Sequence, residues 1–367
     1  MQRIDATLER RLFTLLRLSL WRRGGEDTSV FEGATPADWN GIYALALAHG
    51  VLAVAFDGAM MLPGHLQPDL DTKIQWGCNV EHIERVYARQ IDAAAKLTRL
   101  FAGSGIRTMI MKGCSIARYY PVPAHRQFGD IDIYLMGKYA EGNTIIARSG
   151  IEVRHEYFVH SEFRFNGINV ENHELFVNAR VNATGVYVQR ELERLAADVR
   201  PHPAVKEAYA PSPEFDALFL TRHASWHYAR ECIHLRDVCD WALFLRHEAE
   251  RMDTEQVIGM LRESGLERFA SIITSICRDY IGLERTLPFS AECGELAERV
   301  KNDILTFENP DKFRDIGFMR VLYRKLQNRI GRKWCYDLVV PDSYYGNILY
   351  SIKNYLTAPF ALFKAKL

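Results

Sequence analysis

The sequence predicts an α+β fold, with a small mixed-sheet core over residues 106–190 between an N-terminal helical region (1–105) and a C-terminal helical region (191–367). Three observations predict it. Apolar residues recur at helical spacing on both sides of the core. β-branched and aromatic runs alternate with glycine turns and short helical stretches inside it. No internal repeat or low-complexity segment suggests a solenoid or an array.

Taken in order, Leu8, Leu12, Leu15, Leu16 and Leu20 mark a first amphipathic helix, which the Gly24-Gly25 pair ends. A second helix is expected from Trp39 to Met61, with His49 packed at a helix end. A third runs from Leu70 to Phe101, its apolar face carried by Ile83, Val86, Tyr87, Ile91, Ala94, Leu97 and Phe101. Asp69-Leu70-Asp71 is a D-x-D without a strand around it and reads as the acidic first turn of that helix.

In the core, Arg107 to Met111 is a short buried strand that ends at Lys112-Gly113 before a helix-like stretch from Ser115 to Tyr120. A strand, a glycine turn and a helix start offer backbone N–H groups and a lysine to an anion. The run Asp130 to Met136 favours a strand, so Asp130 and Asp132 project from one face. Residues two apart on a strand lie roughly 6.5–7 Å apart, so two carboxylates can share one or two cations about 3.5–4 Å from each other. Tyr139 to Arg148 reads as a helix ending at Gly150, and Ile151 to Asn166 as strand-rich. Asn166-Gly167 is a hairpin signal that sets Ile168–Val177 antiparallel to the preceding strand. Glu171 and His173 share a face of it, and Glu174 falls on the other.

Pro201, Pro203, Pro211 and Pro213 mark residues 200–213 as a linker or loop. Helices follow from Pro213 to His227 and from Cys232 to Phe244, the second carrying Arg236, Asp237 and Asp240 as a structural polar network. His223 and His227 stand four apart, but Ala-Ser-Trp between them lacks the glutamate of a zinc protease, so zinc is not expected there. Residues 255–308 continue as amphipathic helices broken at Gly265, Gly282 and Pro288. Lys312 to Trp334 reads as a helix with a solvated basic face, and Tyr344 to Phe363 as an aromatic stretch that packs on the core or meets a partner or membrane surface.

Composition narrows the classes. A chain of 367 residues, 48% hydrophobic, can bury a sizeable core. Forty-six Lys and Arg against forty-six Asp and Glu give no global attraction to nucleic acid or anionic lipid, and no RNA-binding motif accompanies the basic segment. Seven cysteines without metal-ligand spacing fit free thiols in a reducing compartment. Charges at Arg3, Asp5, Glu9, Arg10 and Arg11 interrupt any leader-like apolar run, and no later segment is long and apolar enough to span a bilayer. A soluble cytoplasmic protein is the expectation.

The order Lys112-Gly113, Tyr120-Pro121, Arg126, Gly129-Asp130-Ile131-Asp132 and Glu171-Asn172-His173 resembles the bacterial uncharacterised nucleotidyltransferase family, within the DNA polymerase beta-like superfamily. The resemblance implies metal-dependent transfer of a nucleoside monophosphate from an NTP to an acceptor hydroxyl, with release of pyrophosphate. It implies Asp130, Asp132 and Glu171 as catalytic and metal-holding residues, two Mg2+ ions (Mn2+ as a substitute), and Lys112, Gly113, Ser115 and Arg126 as nucleotide-binding residues. His173 would orient a carboxylate or substrate, and Leu235-Arg236-Asp237 would belong to a helix packed on the core. Many superfamily members carry serine after the glycine where this chain has Cys114, a weak donor that Ser115 or backbone amides would replace. The acceptor stays open among small molecules, sugars, peptides and protein side chains. Two other readings fit the same scaffold: phosphoryl or glycosyl transfer from a nucleotide donor, and a non-catalytic nucleotide-binding interaction protein.

Overall fold

Seven short segments pair into one mixed sheet in the computed structural model: β1 (Thr108–Met111), β2 (Asp130–Tyr134), β3 (Arg154–Glu156), β4 (His160–Phe165), β5 (Ile168–His173), β6 (Val199–Pro201) and β7 (Ala208–Pro211). The structure describes residues 5–156, 159–178, 183–284, 293–306 and 330–339, with single residues 288, 327 and 344. The strand order is β3-β4-β5-β2-β1-β7-β6. β1 runs antiparallel to β2 and parallel to β7, while β2 and β5 are parallel. Asn166 and Gly167 take φ of 50° and 79°, the two positive values that a type I′ hairpin turn requires, and Phe165 pairs with Ile168 across it.

Alternation along the strands divides the core into two layers. Ile110, Ile131, Ile133 and Val170 face α4 (Leu70–Ala102) and α6 (Tyr139–Arg148), packing with Ala93, Ala94, Leu97, Phe101 and Ile146. Met109 and Met111 join the larger cluster on the opposite side, which the N- and C-terminal helices build. There Phe176 meets Phe215 edge to face at 5.0 Å. Each fully buried aliphatic or aromatic side chain in these layers contributes about 1.5–3 kcal/mol.

Within the N-terminal helices, α1 (Ala6–Trp21) and α3 (Leu52–Met61) cross at Gly58, where an added Cβ would lie 2.1 Å from the Leu15 carbonyl oxygen. Backbone cannot step aside as a side-chain tip can. Gly58→Ala is therefore expected to cost about 1–3 kcal/mol, read as a lower melting temperature with an unchanged far-ultraviolet spectrum.

Three expectations need correction. Trp39 to Met61 is not one helix: α2 (Pro36–Ala48) stops at His49, and Gly50 at φ 65° turns the chain into α3. Residues 200–213 are not simply a linker, because β6 and β7 form there and complete the sheet from beyond residue 190. Prolines are tolerated because β6 is the edge strand and Pro211 ends β7. In the basic segment, Arg332 is buried rather than solvated, donating to Asp303 at 2.9 Å and to the Tyr228 carbonyl. Lys312, Arg314, Arg320, Arg324, Lys325 and Arg329 lie outside the described residues, as does Tyr344–Phe363 apart from Tyr344 itself.

The remaining helices are α5 (Gly113–Ala117), α7 (Ala183–Leu195), α8 (Pro213–Glu231), α9 (Leu235–Glu248), α10 (Thr254–Glu263), α11 (Glu267–Ile276), α12 (Gly294–Thr306) and α13 (Lys333–Val339). α9 is seated against the N-terminal helices through His49, whose carbonyl accepts from the Arg236 N–H at 3.3 Å and whose Nδ1 accepts from the Leu235 N–H at 3.4 Å. Burial and the neighbouring His234 push His49 down to about 4, so this helix-end histidine is neutral.

Candidate functional site

Register sets the charges. Asp132 on β2 stands beside Glu171 on β5, and Glu171 stands opposite Glu162 on β4. Adjacent strands are about 4.8 Å apart, so three carboxylates form one row on one face of the sheet. Like charges in such a row repel. The next row holds Tyr134, His173 and His160 in the same strand order.

Two cationic groups meet the row at one atom. Lys112 Nζ lies 2.9 Å and His173 Nε2 3.0 Å from Asp132 Oδ1, and His173 Nε2 is 3.6 Å from Glu171 Oε2. Asp132 is 1% exposed and Glu171 8%. Burial pushes the Asp132 carboxyl up, but Lys112 and the His173 hydrogen bond outweigh it and hold the group below the usual carboxylate range. For His173, burial disfavours the charge, yet hydrogen bonds to Asp132 and Glu171 raise it to about 9. Its Nδ1 donates to the Leu175 carbonyl at 3.2 Å.

The turn after β1 is strained where it meets this row. Lys112 adopts φ 45° and Gly113 φ 24°, and a Cβ at residue 113 would approach Phe128 to 3.3 Å. Glycine is thus required by conformation and by space. Lys112, Gly113, Arg126, Phe128, Gly129, Asp130 and Asp132 line one wall of a cleft. Thr221 and His223 of α8, Arg236, Asp237 and Asp240 of α9 and Phe269 of α11 line the other.

The loop that delivers Asp130 is held from three directions. Tyr120 donates to Asp240 at 2.7 Å, and Arg126 binds the same carboxylate through Nε at 3.1 Å and Nη2 at 2.6 Å. His125 bridges Asp57 at 2.6 Å and Glu84 at 3.0 Å. Gln90 donates to the Phe128 carbonyl at 2.6 Å, and Arg236 to that of Gln127 at 3.3 Å.

Asp130, Asp132, Lys112, Gly113 and Arg126 therefore share the cleft. Glu171 and His173 lie behind Asp132, outside its lining. Ser115 is set apart. Helix α5 begins at Gly113, so the Ser115 side chain turns inward, wholly buried, and donates to the Ile110 carbonyl at 2.6 Å. Cys114 also turns inward, and burial pushes its thiol up to about 12.

Behind the turn, His202 Nδ1 accepts from the backbone N–H of Ala204 at 3.1 Å and of Val205 at 3.0 Å, leaving Nε2–H to donate to Ser115 Oγ at 3.1 Å. Burial, with Arg118 nearby, pushes His202 down to about 4. A histidine with a depressed folded value binds fewer protons than the unfolded chain between about 6.5 and 4, so stability falls as pH falls through that window. Wild-type protein is expected to lose about 2–3 kcal/mol through this group between pH 7 and 4.5. His202→Gln removes that dependence, so urea unfolding should show the gap between variant and wild type narrowing by that amount at the lower pH.

Arg236, Asp237 and Asp240 were expected to be structural and do form a polar network, yet they also wall the cleft. Sequence reasoning favoured the structural role over substrate binding for these three, and the Leu235-Arg236-Asp237 phrase was the signal for that wall. His160 was missed entirely. The His223 and His227 rings meet at a tilt of 54° with centroids 4.4 Å apart. Among the described residues, the group of three metal-capable side chains whose donor atoms lie within 4.8 Å of one another is His160, Glu171 and His173.

A mixed sheet with acidic residues on adjacent strands, beside a glycine turn and a lysine, defines an α+β core suited to cations and phosphates. The chain belongs to the uncharacterised nucleotidyltransferase family, whose model matches residues 35–282, a span that takes in all seven strands and both walls of the cleft. Nucleotidyl transfer, with an NTP as donor, is the general activity this membership carries. No curated protein and no solved structure gives a significant match. No helix among the described residues is long and apolar enough to cross a membrane.

Proposed function

We propose that the protein is a divalent-metal-dependent nucleotidyltransferase that moves a nucleoside monophosphate from an NTP to an acceptor hydroxyl and releases pyrophosphate. One observation supports this above the others: a buried, ionised Asp132 stands in register with Glu171 while its own strand carries Asp130 into the cleft beside Lys112 and Gly113. The donor chemistry fits a hard cation, since all three side chains offer carboxylate oxygens, with Lys112 and His173 balancing Asp132 in the structure. Asp130, Asp132 and Glu171 would hold Mg2+, which, when bound, neutralises phosphate charge and acidifies the acceptor hydroxyl.

Lys112 and the Gly113 backbone hold the donor's phosphates, the lysine exchanging Asp132 for a phosphate oxygen. Arg126, oriented by Asp240, faces the transferred phosphoryl group from the wall that also carries Asp130. His173 positions Asp132 and Glu171. Ser115 acts only through the turn it braces. The acceptor oxygen bonds to the α-phosphorus as the bond from that phosphorus to the α–β bridging oxygen breaks, and pyrophosphate leaves. Asp130, less deeply buried than Asp132, takes the acceptor's proton. All seven cysteines are free thiols, which supports a cytoplasmic setting.

The test incubates the protein with each labelled NTP, Mg2+ or Mn2+ and a lysate of its host, with an Asp130→Asn/Asp132→Asn control. Pyrophosphate together with a labelled acceptor, both absent from the control, is the expected result. Release of nucleoside diphosphate, or nucleotide binding without turnover, overturns it.

A further inference from the structure

His160 is a histidine that the nucleotidyl-transfer reading leaves unused, and its Nε2 is buried without a hydrogen bond. Carboxylate oxygens of Glu162 and Glu171 lie 3.5 and 4.0 Å from that nitrogen, and the His173 ring is 5.3 Å away between centroids. A buried nitrogen left without a partner costs about 1–3 kcal/mol. Here it sits where two acidic strands and a second imidazole converge.

We propose that His160, Glu171 and His173 form a binding site for a borderline transition-metal ion such as Zn2+. The donor set is two imidazoles and one carboxylate, which suits zinc, cobalt, nickel or iron and is a poor match for magnesium, a cation that prefers oxygen. The strands place the donors: His160 and His173 are direct cross-strand partners on β4 and β5, and Glu171 lies two residues before His173 on the same face. His173 is oriented by its Nδ1, which donates to the Leu175 carbonyl, so Nε2 is the nitrogen turned toward Glu171. The three donor atoms lie within 4.8 Å of one another. Ligand atoms on tetrahedral zinc stand about 3.3 Å from one another, so each donor moves inward by up to about 1 Å to close on one ion. Asp132, hydrogen-bonded to His173 Nε2, and Glu162 are the nearest additional oxygens.

The site shares Glu171 with the proposed transfer centre, but metal capture there does not require nucleotidyl transfer. The test uses the full chain without nucleotide. Zn2+ is added to metal-stripped protein, its K-edge absorption spectrum is recorded, and affinity is measured by competition with a chromophoric chelator. The expected result is one equivalent of zinc with imidazole scattering in the wild-type spectrum. His160→Gln should weaken binding by at least about 100-fold, whereas Asp130→Asn, on the cleft side, should leave it within a few fold. A zinc edge showing oxygen neighbours alone, or His160→Gln binding as tightly as wild type, overturns the proposal. The wild-type spectrum decides the matter even if the variant folds poorly. Failure of the labelled-NTP assay would leave this result standing, and failure here would leave that assay's result standing.

Discussion

Asp132→Asn is expected to reduce nucleotidyl transfer by at least about 10³-fold, because a bound cation supplies several kcal/mol of charge stabilisation in the transition state and each 1.36 kcal/mol is a factor of ten. Asparagine keeps the shape and can still accept from Lys112 and His173. It loses the charge that a divalent ion needs. The side chain is fully enclosed and faces two cationic partners at 2.9 and 3.0 Å, so the substitution removes a charge from a buried network and leaves the surface unchanged. The measurement is initial rate at saturating Mg2+, with circular dichroism as a check of folding. A rate within tenfold of wild type would show that Asp132 does not hold the metal.

Breaking the Arg126–Asp240 pair is the larger expected effect on stability. Both groups are nearly enclosed, at 6% and 4% exposure. The guanidinium grips the carboxylate in a two-point fork, and Tyr120 adds a third hydrogen bond to it. Asp240→Ala leaves a buried arginine without its counter-ion and is expected to cost about 3–5 kcal/mol in urea unfolding at pH 7. Removing both partners, in Arg126→Met/Asp240→Ala, should recover part of that loss, because the uncompensated charge is then gone. A cost below about 1 kcal/mol for Asp240→Ala would mean that solvent reaches Arg126 freely. The same pair joins the loop before β2 to α9, so the single variant should also disturb the cleft.

Local chemistry was legible in the sequence where one residue type admits one conformation. Asn166-Gly167 specified a turn with two positive φ values, and the register of β4 and β5 followed. Alternation placed Asp130 with Asp132 and Glu171 with His173, and the parallel pairing of β2 and β5 then brought the two sets side by side. What was not legible depended on distant partners. Prolines at 201 and 211 read as breakers because nothing local reveals that β6 is an edge. Ser115 was expected beside phosphate because the resemblance puts a hydroxyl after the glycine and Cys114 is a weak donor, whereas the Ser115 side chain turns inward to the Ile110 carbonyl. The second wall of the cleft and the orphaned nitrogen of His160 exist only once α9 and β4 are docked, and no spacing in one chain encodes them.

The pairing of Thr108 with Ala208 and of Met109 with Tyr209 carries a consequence for how the sheet is assembled. A ribosome must emit the chain past residue 211 before the outer side of β1 can be closed, so the nascent polypeptide exposes a raw strand edge for the whole interval. A fragment ending at residue 190 would retain every acidic donor and still present that edge to its neighbours, which makes such a truncation a seed for self-association instead of a minimal enzyme.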